Sequence, residues 1–329
     1  MRGAVRALLA RPVVSLLARK RQTGSDRGLD RQVAGVLELQ RLMRLPRLAS
    51  LDAPRARVFV EQGLSPLDPP PETMAEIVDT TAGGRPVRIY VPEHAGPNWM
   101  MWFHGGGGTI GSIRSTEPTA RYLAAHTGMT VASVDYRLGP EHPHPAAIDD
   151  AVAAWRGLVS RPELAGGDAK IAIAGDSFGG FLATQVDHLV RSGGDVRPPD
   201  LQVLIYPMVD LTMSDASLVR LADGYLLTRE DVAWFRTNYM GSHTNFRDAS
   251  PLFFADVRGA APALVVTAGF DPLVGEGEAY VAKLRAAGVP VTHREHPSLI
   301  HGFLSLGGGV RAAQDATDQL CADVVSLLA

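Results

Sequence analysis

From residue 72 onward, short and almost unbroken apolar runs take turns with helical patterns, and no other feature restricts the fold as much. The runs fall at 87–91, 99–103, 130–134, 170–174, 201–205, 263–267 and 291–294. Helical spacing of apolar residues lies between and after them, near 116–127, 147–159, 178–192, 276–287 and 311–328. A strand with one wet face alternates apolar and polar residues, whereas a strand covered on both faces does not. The pattern predicts an α/β protein with a mostly parallel central sheet and helices on both faces.

Two stretches break the rhythm. Residues 1–60 read as helical and Arg-rich, and Pro69, Pro70 and Pro71 end a linker over 65–71 that a helix cannot continue through. Residues 208–245 hold no strand and two helical patterns, the second opening at Thr228, a residue type that caps helix N-termini. A chain of 329 residues allows two domains, or one large domain with an insertion. We read an N-terminal helical segment and linker over 1–65, then one domain over 66–329 with an insertion at about 208–245. In sheets of this kind, insertions sit at the C-terminal strand ends, where ligands bind.

Lys and Arg number 32 against 35 Asp and Glu, a net charge of -3. As a total, this gives no footprint for nucleic acid or an anionic membrane. The one cysteine, Cys321, cannot form an intramolecular disulfide, so a cytoplasmic chain is expected. Residues 1–20 carry Arg2, Arg6, Arg11, Arg19 and Lys20 and no acid. Arg11 interrupts the apolar residues, so the segment does not read as a signal peptide or a membrane span. It reads as a basic amphipathic helix, packed on the protein or touching a membrane surface.

The chemistry begins at Gly175-Asp176-Ser177-Phe178-Gly179-Gly180, which follows an apolar run and opens a helical pattern. This is G-x-S-x-G in the setting of a nucleophile elbow: strand, sharp turn, helix. Side chains at 175 and 179 would clash in such a turn. Asp176 is expected to point away from the Ser177 hydroxyl. A second glycine loop, His104-Gly105-Gly106-Gly107-Gly108, follows the run at 99–103. Backbone N–H groups of such a loop can bind a developing oxyanion. The oxyanion hole is expected at Gly105, Gly106, Gly107 and Phe178, with Gly106, Gly107 and Phe178 donating, Gly105 shaping the turn and His104 structural. The same stretch formally matches a dinucleotide fingerprint over Gly106, Gly108 and Gly111, with Asp135 as its acid. That reading needs a helix starting inside the motif, whereas Pro118 suggests a start near it.

A serine nucleophile needs a base, and the base needs an orienting acid. His301, after the run at 291–294, and Asp271, just after 263–267, occupy late strand-end loops in the order Ser, Asp, His. His94, His126, His188, His243, His293 and His296 lack that context. So do Asp210, Asp223 and Asp256.

Taken together, the motifs resemble the hormone-sensitive lipase family of esterases, bacterial family IV. The matching pieces are His104 to Gly107, Asp135 to Pro143, Gly175 to Gly180, Asp271-Pro272-Leu273 and His301-Gly302-Phe303, in the family's order. The resemblance implies an α/β-hydrolase fold and a homodimer. It also implies a cap built from the N-terminal helices and the insertion, and a buttressing role for 135–143. Where the family often has alanine and asparagine, this chain has Phe178 and Phe181. Gly108 replaces a frequent aromatic, and Gly275 replaces the first residue of an Asp-Glu-Gly.

The resulting expectation is ester hydrolysis through an acyl-enzyme, with no metal and no cofactor, acting on a small-molecule ester and not on nucleic acid. Leu226, Leu227, Trp234 and Phe235 are expected to line a roofed pocket. Phe178 and Phe181 are expected to add bulk that limits it to short- to medium-chain acyl groups. Lactones, amides and thioesters would suit the same residues. A binding protein on an inactive hydrolase scaffold, like the plant gibberellin receptors, would lack the histidine that is present here.

Overall fold

The computed structural model describes Ala18 and residues 26–63, 67–161, 164 and 168–329. The basic segment at 1–20, Ala18 apart, and linker residues 65 and 66 lie outside the described residues.

Eight strands form one sheet: β1 (Met74–Ala82), β2 (Arg85–Pro92), β3 (Trp99–Phe103), β4 (Thr130–Val134), β5 (Ile171–Asp176), β6 (Leu201–Ile205), β7 (Ala263–Phe270) and β8 (Val291–Ile300). Their order is β1-β2-β4-β3-β5-β6-β7-β8. The pairs from β4 to β8 are parallel, and β1 and β2 run antiparallel at one edge. Every expected run is a strand. β1 is the strand that the apolar pattern misses: it lies at the edge, and most of its side chains are at least partly exposed.

The helices are α1 (Arg31–Met43), α2 (Ala53–Gly63), α3 (Glu117–Thr127), α4 (Ala146–Val159), α5 (Phe178–Gly193), α6 (Ser217–Arg220), α7 (Arg229–Met240), α8 (Val274–Ala286) and α9 (Arg311–Leu328). β4 and β6 are buried at every position because helices cover both faces. Along β3 the side chains alternate between two cores. Met101 and Phe103 join Trp155 of α4, Phe181 and Leu182 of α5, and Leu284 of α8. Met100 and Trp102 join Val33 of α1, Leu123 of α3, and Leu320 and Val324 of α9. Each such large side chain, fully buried, contributes about 1.5–3 kcal/mol.

The stretch between β6 and β7 holds no strand, as expected, but its first helix is the single turn α6. The second, α7, opens on Thr228 with a capping box: Thr228 Oγ1 accepts from Asp231 N, and the Asp231 carboxylate accepts from Thr228 N. The Asp231 carboxylate also accepts from Ala49 N at 3.0 Å. Arg47 reaches Asp223 at 2.9 Å. These bonds join the N-terminal segment to the insertion.

Candidate active site

The loops that follow β3, β5, β7 and β8 gather at the C-terminal ends of the strands and carry the residues singled out by sequence. Ser177 joins β5 to α5 with φ 53° and ψ −113°, a left-handed turn that is strained for a side chain. The turn closes only over glycine. A Cβ at 175 would stand 2.2 Å from the Gly179 carbonyl carbon, and one at 179 would stand 1.9 Å from the Phe103 carbonyl oxygen.

Ser177 Oγ lies 3.0 Å from His301 Nε2, and His301 Nδ1 lies 2.8 Å from Asp271 Oδ2. Asp271 is fully buried, and its other oxygen accepts from Leu273 N at 2.8 Å. A carboxylate on Nδ1 keeps the proton there and leaves Nε2 free to accept from the serine. The Tyr206 ring packs 4.6 Å from the imidazole and is itself backed by Phe303.

The glycine loop faces the same point. Gly105 N donates to Asp176 Oδ1 at 2.7 Å, which corrects its place in the oxyanion hole: Gly105 shapes the loop, and its N–H is not available to substrate. The N–H groups of Gly106 and Gly107 have no acceptor among the described residues. That of Phe178 lies in the first turn of α5, where no intrahelical acceptor exists. His104 is buried behind the loop and stacks on Tyr136, whose hydroxyl donates to His104 O at 2.7 Å. Gly139 N donates to Gly108 O at 2.7 Å. The block 135–143 therefore supports the loop from behind. The loop and turns between β3 and α3 also remove the dinucleotide reading, because the helix begins at Glu117, outside the glycine motif.

Sequence reasoning missed the role of Asp176. It makes no bond to Ser177, as expected, but burial pushes its carboxyl up to about 6. Its neighbours are Gly105, Tyr206 and, by charge, His301. Glu276, also missed, is fully buried and accepts from Val209 N and Asp210 N at 2.7 and 3.1 Å. Burial holds it well above the usual carboxylate range. It fixes the first residues of the insertion. Beside it, a Cβ at Gly275 would stand 2.1 Å from Asp215 Oδ1, so here the Asp215 carboxylate fills the space that a longer residue would need.

A cleft of about 970 Å³ opens over Ser177 and His301. Leu226, Leu227 and Phe235 line it from the insertion, and Leu37, Leu48 and Phe59 from the N-terminal segment. Trp234 does not line it. Phe178 and Phe181 correct the expectation of bulk beside Ser177. Their rings stack 5.0 Å apart in the core, against Tyr239. They point there because the elbow turns the first helical side chains away from the cleft. Among the described residues, no group of three or more His, Cys, Asp or Glu could hold a metal ion. No helix among them is long and apolar enough to cross a membrane.

The α/β hydrolase fold family matches residues 100–305. The carboxylic ester hydrolase LipN of Mycobacterium tuberculosis is 40% identical over 262 residues, covering 74% of this chain and 69% of that protein. An ethyl acetate hydrolase of Pseudomonas putida is 36% identical over 254 residues, covering 74% and 80%. Among solved structures, a thermostable esterase from Pseudomonas putida superposes with a TM-score of 0.86 at 29% identity, covering 93% of this chain and 99% of that one. An ester hydrolase from the Lake Arreo metagenome, complexed with a bipyridine phosphonate derivative, gives 0.85 at 34% identity, covering 91% and 98%. The chain belongs to the α/β-hydrolase family, in its hormone-sensitive-lipase-type branch, and is a carboxylic ester hydrolase.

Proposed function

We propose that Ser177 is the nucleophile, His301 its general base and Asp271 the acid that orients the base. Ser177 Oγ adds to the ester carbonyl while its proton passes to His301 Nε2. Asp271 holds the Nδ1 proton and stabilises the imidazolium. The N–H groups of Gly106, Gly107 and Phe178 bind the oxyanion. The C–O bond to the alcohol breaks as His301 returns the proton to it. Water, deprotonated by His301, then attacks the acyl-enzyme and releases the acid and free Ser177. One observation carries this reading: the unbroken chain Ser177–His301–Asp271, with contacts of 3.0 and 2.8 Å.

The N-terminal helices and the insertion act as a cap over the cleft, supported by the lining they share and by the bonds from Asp231 and Arg47. The apolar lining suits short- to medium-chain acyl esters, and the ethyl acetate hydrolase among its relatives points the same way. The reading carries a cytoplasmic setting, supported by the single buried thiol of Cys321, and a homodimer, which sedimentation would test. The decisive experiment is labelling with an organophosphonate and mass mapping of the adduct. The label is expected on Ser177 alone, and Ser177→Ala is expected to lose about 10⁴–10⁶ in kcat. Activity that survives the alanine substitution overturns the assignment.

A further inference from the structure

The near-neutral total conceals a separation of charge along the chain. Residues 1–47 hold eleven of the 32 Lys and Arg but three of the 35 Asp and Glu, a net of +8. The remainder holds 21 against 32, a net of −11. Such asymmetry points to a basic surface with an anionic partner.

The structure shows the end of this stretch in solvent. Its end is Arg41-Leu42-Met43-Arg44-Leu45-Pro46-Arg47, the last turn of α1 and the loop after it, exposed at every residue. Leu42, Met43 and Leu45 are 50%, 54% and 41% accessible, so large apolar side chains cluster on the outside within four positions. Arg41 pairs with Glu38, and Arg47 with the exposed Asp223 and Glu230. Arg44 makes no ion pair with a described residue. No acid interrupts the run.

Water alone does not favour three exposed apolar side chains among three arginines. The surface of an anionic bilayer does: the Arg44 guanidinium, which has no acid beside it, meets the headgroups while leucine and methionine enter the acyl boundary. Nucleic acid would use the charge and leave the apolar side chains without a partner. The run also has a particular place in the molecule. Arg41, Arg44, Leu45, Pro46 and Arg47 line the mouth of the cleft over Ser177. We propose that residues 41–47 dock this protein on an anionic bilayer surface with the cleft mouth toward the lipid. Esters held in the membrane then enter the cleft without crossing bulk water. Docking alters where the protein sits and leaves the site itself unchanged.

The test is co-sedimentation of the full chain with phosphatidylglycerol-containing vesicles and with pure phosphatidylcholine vesicles, at about 50 mM and about 500 mM salt. Binding is expected to the anionic vesicles and to fall with salt. The double variant Leu42→Ser, Met43→Ser is expected to bind at least about tenfold more weakly. Neither side chain lines the cleft, so its hydrolysis of a water-soluble p-nitrophenyl ester is expected to match the wild type, which also verifies folding. As an independent reading, Met43→Trp is expected to show a blue-shifted emission on adding anionic vesicles. The proposal is overturned if the wild type binds neither vesicle, if the double variant binds as well as wild type, or if the tryptophan emission stays unshifted. Self-association without vesicle binding, abolished by the double variant, would assign the face to a second copy and equally overturn it.

Discussion

The Asp176 carboxylate accepts the Gly105 N–H across 2.7 Å, tying the residue before Ser177 to the first glycine of the loop opposite. The strand end that presents Ser177 therefore also sets the position of the proposed oxyanion donors. The carboxylate is held in a place that disfavours its charge, since burial pushes it from 3.8 up to about 6.

That shift has a direction in stability. Below about pH 4 both folded and unfolded chains carry the Asp176 proton. Between about pH 4 and pH 6 the unfolded chain releases it first, so the folded state loses stability as pH rises. Each unit of separation is worth about 1.4 kcal/mol, which bounds the loss at about 3 kcal/mol above pH 6. Asp176→Asn keeps an oxygen for Gly105 N–H and removes the titration. Denaturant unfolding at a series of pH values is expected to show the variant gaining on the wild type through pH 4–6 and then holding a constant lead. A difference that is flat across that window would show that the carboxyl is not held above its ordinary range.

The sheet was legible because β3 to β7 are covered on both faces and so leave continuous apolar runs. β1 was not, because an edge strand open to solvent carries Glu76 and Asp79 and shows no such run. A weaker signal existed: Gly83-Gly84 joins Ala82 to Arg85 with both glycines at positive φ, the two-residue turn of a hairpin. The proposed triad was legible because strand ends fix where Ser177, Asp271 and His301 must lie. The roles of Asp176 and Glu276 were not legible because they lie in which distant backbone N–H groups these carboxylates accept, and no local pattern records that. Phe178 and Phe181 misled because residue size says nothing about which way the first turn of a helix faces.

The departure at Gly275 leaves Asp271 in place, since Asp215 occupies the neighbouring space and Asp271 Oδ2 still meets His301 at 2.8 Å. Asp271→Asn is expected to cost about 10⁴ in kcat by releasing the imidazole into the wrong tautomer. His301→Ala is expected to cost about as much as Ser177→Ala, and the two together little more, because the groups act as a unit. Steady-state kinetics of the three single variants and the Ser177–His301 double variant decide this. Additive losses, or a mild Asp271→Asn, would move the acid elsewhere.

Gly107 sits at φ 59°, and a Cβ there would lie 2.2 Å from Phe235 Cγ. Gly107→Ala meets two penalties: the left-handed backbone, about 1–2 kcal/mol, and the ring above it. A fall in kcat/KM of about 10²-fold or more is expected as the proposed oxyanion donor shifts. Adding Phe235→Ala removes the ring but leaves the residue 235 Cβ, 2.5 Å from the new methyl, and the backbone penalty, so the double variant is expected to recover only part of the loss. The four-member cycle measures this coupling directly. Zero coupling would show that Phe235 does not set the position of the loop.

Acyl-chain preference follows from what lies over Ser177. Phe178 and Phe181 lie in the core, so the limit on chain length falls to the lining side chains Leu226, Leu227 and Phe235. Each methylene that fits adds up to about 0.8 kcal/mol of burial, roughly fourfold in kcat/KM. Across p-nitrophenyl esters from acetate to palmitate, kcat/KM is expected to climb, peak at a short to medium chain and then fall where the pocket ends. Phe235→Ala, by removing the ring that rests on Gly107, is expected to move the peak to longer chains and lower the rate on the shortest. A steady climb to palmitate in the wild type would mean that the cleft has no closed end. A peak unmoved by Phe235→Ala would place the limiting wall on Leu226 and Leu227 instead.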